Sequence, residues 1–386
     1  MKKSLIALAA LATVATAAQA QSSVTVYGVL DAGVATIDKV GSNSASWTGM
    51  ANGGLATSRI GFTGSEDLGG GLKANFKLES QLFPANGIAG SNSKATVDNS
   101  QSATVNTSSL FNRESTVGLS GGFGSVKFGR ANTVAYDKAI ALDPMGYGNF
   151  GAVGSFSPAF IARVNNQIKY ASPVFEGLQA DLAYSTQGVA GSASQGQTQE
   201  LALTYANQSL KLIAAYGQTK TLLDTADLQN DFSAQYGAGA VGGVKGYENY
   251  QLGAVYTVGN LTFNVGYSSK KDKSAAAGVA QNAKELYFGG IGYAFTPTSK
   301  LTIAYYDYNN KTKATQGKSN MTSAQYVYSL SKRTDVYGIA AVMNNQDQVQ
   351  LTIGDNSNIY AATNTGVTPA NGKDQTGFMV GIRHKF

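Results

Sequence analysis

Leu72-Lys73-Ala74-Asn75-Phe76-Lys77-Leu78-Glu79-Ser80-Gln81-Leu82-Phe83 sets Leu72, Ala74, Phe76, Leu78 and Leu82 against Lys73, Asn75, Lys77, Glu79 and Gln81. A period of two is the repeat of a β-strand with one apolar face and one polar face. The same period returns in Leu178, Ala180, Leu182 and Tyr184, and again in Leu261, Phe263, Val265 and Tyr267. Beyond residue 20 no helical spacing is sustained. Sixteen alternating runs can be marked, near 23–37, 57–66, 72–83, 111–120, 125–130, 161–172, 178–187, 198–206, 210–220, 248–257, 261–270, 284–295, 300–309, 322–329, 334–344 and 374–386.

The connections between these runs come in two sizes that take turns. Short ones lie at 67–71, 121–124, 173–177, 207–209, 258–260, 296–299 and 330–333. Long ones, rich in Gly, Ser, Asn, Thr and Ala, include 38–56, 84–110, 131–160, 221–247 and 345–373. Short turns at one end and long loops at the other predict an all-β, 16-stranded antiparallel up-and-down transmembrane β-barrel. An even strand count leaves the first and last strands side by side at the short-turn end, where they close the sheet. A soluble sandwich also alternates, but its strands seldom run ten residues with such regular connections. Run length suits a tilted membrane strand of about 9–11 residues. Tyr184, Tyr205, Tyr216, Tyr256, Tyr267, Tyr305, Tyr326 and Tyr328 lie near strand ends, where interfacial girdles form.

Composition narrows the function. The 386 residues hold no cysteine, one histidine (His384) and 13% charged side chains, with a formal net charge of +6. Disulfides, thiolate sites and multi-histidine metal sites are excluded, and the dilute positive charge does not point to nucleic acid. No cofactor or metal is expected. Met1-Lys2-Lys3, the apolar stretch from Leu5 to Ala18 and Ala18-Gln19-Ala20 read as a signal peptide over 1–20. The mature barrel then covers 21–386, with 27 basic and 23 acidic residues.

Three stretches resemble the general diffusion porins of Gram-negative bacteria, in the β-proteobacterial and neisserial branch. They are Gln21-Ser-Ser-Val-Thr-Val-Tyr-Gly-Val-Leu-Asp31, Thr57-Ser58-Arg59-Ile60-Gly61-Phe62 with Ser65-Glu66-Asp67-Leu68-Gly-Gly-Gly-Leu-Lys73-Ala74, and the ending Gly381-Ile382-Arg383-His384-Lys385-Phe386. Phe378, Val380, Ile382, His384 and Phe386 also resemble the C-terminal signal read by outer-membrane assembly machinery. The Pro-Glu-Phe-Gly signature of the enteric branch does not occur in the third long loop. The resemblance implies a water-filled outer-membrane barrel, usually a homotrimer set among lipid and lipopolysaccharide. It would pass ions and small hydrophilic solutes and be narrowed by an inward-folded third loop, here 131–161.

A passive pore needs a polar lumen and charges near its narrowest point. Parity turns Arg59 and Lys77 inward. Arg113 and Arg163 resemble, by local context, the arginines lining the constriction of anion-preferring members. Parity sets Arg113 with the lipid-facing Val117 and Leu119, so an inward Arg113 requires a bulge or a late strand start. Asp137 and Asp143 in the third loop are expected to oppose these bases, with weak anion preference as the net result. Gly121-Gly122-Phe123-Gly124 joins strand to strand and cannot cradle phosphate without a following helix. His384 is placed too near the lipid for a catalytic triad. Lys270-Lys271-Asp272-Lys273 reads as a solvated cluster near lipopolysaccharide. A substrate-specific channel is the main alternative, ahead of an adhesin or a barrel enzyme. Trimer packing is expected on small residues of the first and last strands: Ala32, Gly33, Ala35, Gly377 and Gly381.

Overall fold

The computed structural model describes residues 23–90, 109–146, 148–156, 162–186, 197–220, 246–272, 283–312, 316–354 and 369–386. The expected signal peptide lies outside them, as does part of loop 131–161. Eighteen strands are present among the described residues. They are β1 (Ser23–Val40), β2 (Ala45–Asn52), β3 (Arg59–Gly69), β4 (Leu72–Phe83), β5 (Ile88–Ala89), β6 (Glu114–Gly121), β7 (Gly124–Asn132), β8 (Arg163–Ala171) and β9 (Leu178–Ser185). They continue as β10 (Thr198–Ala206), β11 (Leu210–Thr219), β12 (Tyr247–Val258), β13 (Leu261–Asp272), β14 (Ala283–Thr296), β15 (Ser299–Asn310), β16 (Gly317–Ser329), β17 (Thr334–Asn345) and β18 (Gln375–Lys385).

Sixteen of these form the wall, each pairing antiparallel with the next; β2 and β5 are additions to it. The ring closes where β1 meets β18, from Val29 opposite Lys385 to Ile37 opposite Gly377. No edge remains along that seam, which is what lets a sheet stand in lipid. The predicted loop 38–56 is partly strand. β1 runs on to Val40, and β2 folds back on it, with Ala32 opposite Asn52 and Ile37 opposite Trp47. Below that point β1 pairs instead with β3, Val29 lying opposite Arg59. The Gly69-Gly70-Gly71 turn between β3 and β4 has φ of 85°, 61° and 80°, a left-handed path that favours glycine.

Alternation resolves into two faces. Val24, Val26, Leu30 and Val34 of β1 and Phe378, Val380 and Ile382 of β18 are exposed on the outside, where lipid covers them. The girdle tyrosines named above also face outward. Tyr216 meets Tyr250 across β11 and β12 with ring centroids 5.1 Å apart, and Tyr267 meets Tyr287 at 4.8 Å. The small residues of the seam are a correction. Gly33, Ala35, Gly377 and Gly381 share the lumen register of Asp31 and Arg383, and only Ala32 faces out. Tyr337 lies over Gly381, where a Cβ would come within 2.2 Å of its hydroxyl, and its hydroxyl donates to Asp31 Oδ1 at 2.6 Å. The small residues make room for a lumen-side tyrosine, not for a second protomer.

The buried core lies between the inner wall and the segment after β7. Two helices interrupt that segment, α1 (Val134–Leu142) and α2 (Ala152–Ser155). α1 packs along β9 to β13. Nine residues are too few to leave a helical period in the sequence. The buried side chains Val134, Ala135, Tyr136, Ala139 and Leu142 point to several sides because the helix is enclosed.

Candidate functional site

The lumen-facing residues of β3, β4, β6, β7 and β8 carry most of the charge inside the barrel. Lys77 and Glu79 share the inward register of β4, with Thr116 and Glu114 opposite them on β6. Lys77 Nζ lies 2.9 Å from Glu114 Oε2, and Lys127 Nζ lies 2.7 Å from Glu114 Oε1. Glu79 Oε1 accepts from Arg113 Nε at 2.6 Å, and its Oε2 accepts from the Tyr27 hydroxyl at 2.8 Å. Arg59 Nε is 3.6 Å from the same Oε2.

The late strand start is what turns Arg113 inward. β6 begins only at Glu114, so Arg113 escapes the parity that sends Val117 and Leu119 to lipid. Its side chain is 6% exposed, against 26% for Arg59, 39% for Lys77 and 38% for Lys127. Arg113 is therefore buried against Glu79, while the other three side chains stay partly exposed on the lumen face. Arg163 opens β8 and sits with its Cζ 5.9 Å from the Tyr136 ring centroid of α1.

Asp137 lies in the first turn of α1 and is brought to the wall. Lys169 Nζ is 2.5 Å from its Oδ2, and Asn132 Nδ2 donates to Oδ1 at 2.8 Å. Burial works against its charge, but the Lys169 ammonium and the Asn132 amide outweigh that and hold the carboxyl below the usual carboxylate range.

Asp143 differs from expectation. It is 4% exposed and accepts from the Tyr306 hydroxyl at 2.6 Å, Met145 N at 3.1 Å and Ala152 N at 2.9 Å. Its carboxylate ties the loop to β15 and to itself, so it does not oppose the arginines across the gap. The reason is position: Asp143 caps the end of α1, within reach of Met145 N in the turn that follows and of Ala152 N, the first residue of α2, whose N–H has no partner inside its own helix.

The loop is seated by small inward residues of the wall. Leu142 lies over Gly253, where a Cβ would approach its Cδ2 to 2.6 Å, and Pro144 lies over Gly290. Asn264 Nδ2 donates to Leu142 O at 2.9 Å, Ser323 Oγ donates to Phe150 O at 2.8 Å, and Gly354 N donates to Ser155 Oγ at 3.0 Å. Phe156 packs against Tyr306 and Tyr308. The described part of the loop, 133–146 and 148–156, thus follows the inner wall from β9 toward β18.

Several residues of this site were missed in the sequence: Tyr27, Glu79, Glu114, Lys127 and Lys169. All sit at inward positions of alternating runs, so parity was a sufficient signal. Lys270 is a further correction. It is 5% exposed, its Nζ 4.8 Å from the Tyr247 ring centroid, and it is not part of a solvated cluster. Lys273 lies outside the described residues. Among the described residues no group of acidic or histidine side chains is arranged to hold a metal ion.

The Gram-negative porin family model matches residues 7–348. The chain belongs to the Gram-negative porin family. It is 34% identical to outer membrane porin protein 32 of Delftia acidovorans over the full length of both chains. It is 30% identical to an outer membrane porin protein of Bordetella pertussis, over 89% of this chain and 95% of that one. Among solved structures, the anion-selective porin from Comamonas acidovorans superposes with a TM-score of 0.74 at 28% identity, covering 95% of this chain and 100% of the other. The porin is therefore a passive channel of the outer membrane and not an enzyme.

Proposed function

We propose that this porin is a general diffusion pore with weak anion preference, narrowed by loop 131–161 and held positive there by Arg59, Lys77, Arg113 and Arg163. One observation carries the sign: the bases of this wall outnumber its carboxylates. Arg59, Lys77, Arg113, Lys127, Arg163 and Lys169 stand against Glu79, Glu114 and Asp137. Asp143 is spent on the loop fastening, which removes the acid expected to balance them. The similarity to a porin called anion-selective supports the same sign. Preference is weak because ions crossing a wide lumen are screened from the wall over about 8 Å at physiological salt.

Trimeric assembly belongs to this proposal. The only tyrosine in β1, β3, β4, β6, β7 and β18 is Tyr27, which faces the lumen. That arc therefore lacks the outward tyrosines of the lipid girdle and presents Val, Leu, Ile and Phe, as a protein-covered face would. The signal peptide over 1–20 and the reading of Phe378, Val380, Ile382, His384 and Phe386 as an assembly signal are part of the same proposal. So are contacts of the outer rim with lipopolysaccharide.

Reversal potential in a planar bilayer under a potassium chloride gradient tests the sign. The expected result is chloride over potassium, with the ratio reduced by Arg59→Ala and falling toward one at 1 M salt, where screening shortens to about 3 Å. A potassium-favouring potential, or one that Arg59→Ala leaves unchanged, overturns the assignment. Flux that saturates with one solute would favour the substrate-specific alternative.

A further inference from the structure

Glu200 has no part in the ion path. It sits on the inward face of β10 at 5% exposure, covered by the start of α1. Its two oxygens accept from Val134 N at 2.8 Å and Ala135 N at 3.2 Å, the first two positions of the helix. Those N–H groups have no partner within the helix itself, and a carboxylate also suits the positive end of the helix dipole. The next donor, Tyr136 N, goes to Thr133 Oγ1 at 3.1 Å. Beside this cap Val134 packs among Ala183, Ala202 and Ala215, three inward alanines that let the helix approach the wall.

Burying a carboxylate is unfavourable unless its oxygens are used. Here both are used by the loop, and one turn further on Asp137 reaches Lys169. Lys138 Nζ, on the same helix, lies 2.5 Å from Asp181 Oδ2 of β9. The start of α1 is thus fixed by a wall residue, while the ties of Asp143, Leu142 and Phe150 hold the rest of the loop farther along.

We propose that Glu200 is a positioning residue of the eyelet: by binding the first two N–H groups of α1, it sets the gap between the loop and the basic wall. This rests on reading the loop as the constriction. Glu200→Gln removes the second acceptor and points an amide N–H at a helix N–H. Val134→Pro removes one donor while leaving the carboxylate and its charge. Proline suits that first helical position, because Thr133 before it is already extended at φ −62° and ψ 155°.

The test uses the full-length chain refolded as a barrel, verified by heat-modifiable migration. Both variants should raise single-channel conductance by about 1.5-fold and move the reversal potential toward zero, since a wider gap holds ions farther from the bases. Ala202→Cys, in a chain with no native cysteine, reports the helix directly. Its labelling by a water-soluble thiol reagent should be about 10-fold faster when combined with either variant, the mark of a loosened local opening equilibrium. Unchanged conductance and labelling in folded variants overturn the proposal. So does a change confined to Glu200→Gln, which would assign the effect to charge and not to position. A folded wild-type barrel that conducts nothing would instead remove the pore reading itself.

Discussion

Glu79 is the residue on which the local charge turns. It takes Arg113, the Tyr27 hydroxyl and the approach of Arg59 at one carboxylate, with Lys77 Nζ 3.8 Å away. Glu79→Gln should therefore do two things at once. Chloride preference should rise, because the wall loses one of its few carboxylates. Stability should fall by about 3 kcal/mol, because the buried Arg113 loses the carboxylate that accepts from its Nε. Reversal potential and thermal melting of the folded band measure the two effects separately, and a variant with unchanged selectivity would deny Glu79 its electrostatic role. The inward side of Glu79 was legible from the alternation of β4 alone. Its partner was not, since the orientation of Arg113 depends on where β6 starts, and one residue of difference in a strand start reverses a side chain. Asp143 was misread for a related reason: an acid near a proline looks the same whether its carboxylate meets solvent or the backbone of its own turn.

At the scale of elements the strands were readable and the loop was not. Wall strands carry a period of two over eight or more residues, imposed by lipid on the outer face, which turns polar only toward the long-loop ends, at Glu248, Glu285 and Asp307. α1 has only nine residues, enclosed by wall and loop, so neither face is consistently polar. β2 was hidden in a long loop because it lies beyond the reach of the alternation that lipid enforces. The seam offers a sharper test. Phe386 pairs with Gly28 through both backbone bonds, Gly28 N to Phe386 O at 2.9 Å and Phe386 N to Gly28 O at 3.1 Å. The Phe386 ring lies over Gly28, where a Cβ would come within 2.2 Å of its Cζ. Gly28→Val should expel the ring from the seam and lower the heat stability of the closed barrel. Deleting Phe386 should cut outer-membrane yield sharply. Normal stability of Gly28→Val would mean that closure relies on the ladder above Val29 and not on this last pair.

For the whole molecule, the outer surface divides into two arcs. From β8 to β17 aromatic girdles ring the barrel, with Tyr256, Tyr293, Phe295, Tyr326 and Tyr328 near the short turns and Tyr250, Tyr287 and Tyr305 higher up, all exposed. From β18 through β1 to β7 the exposed aromatics are phenylalanines, Phe123, Phe128, Phe378 and Phe386, and no tyrosine of these wall strands faces out. Tyrosine serves where an apolar ring and a wet hydroxyl are both needed, at the boundary of lipid and water. A face covered by another protomer has no such boundary. Val117, exposed at 61% on β6 and flanked by Phe76 and Phe128, lies on the tyrosine-free arc, whereas Val265, exposed at 59% on β13, lies on the girdled one. Arginine at either position costs about 2–4 kcal/mol in lipid, so insertion should suffer alike in both variants. The trimer should not. Val117→Arg should run as a folded monomer on native gels, and Val265→Arg as a trimer. Equal behaviour of the two would show that the arcs do not differ in what covers them, and the missing tyrosines would then need a cause other than assembly.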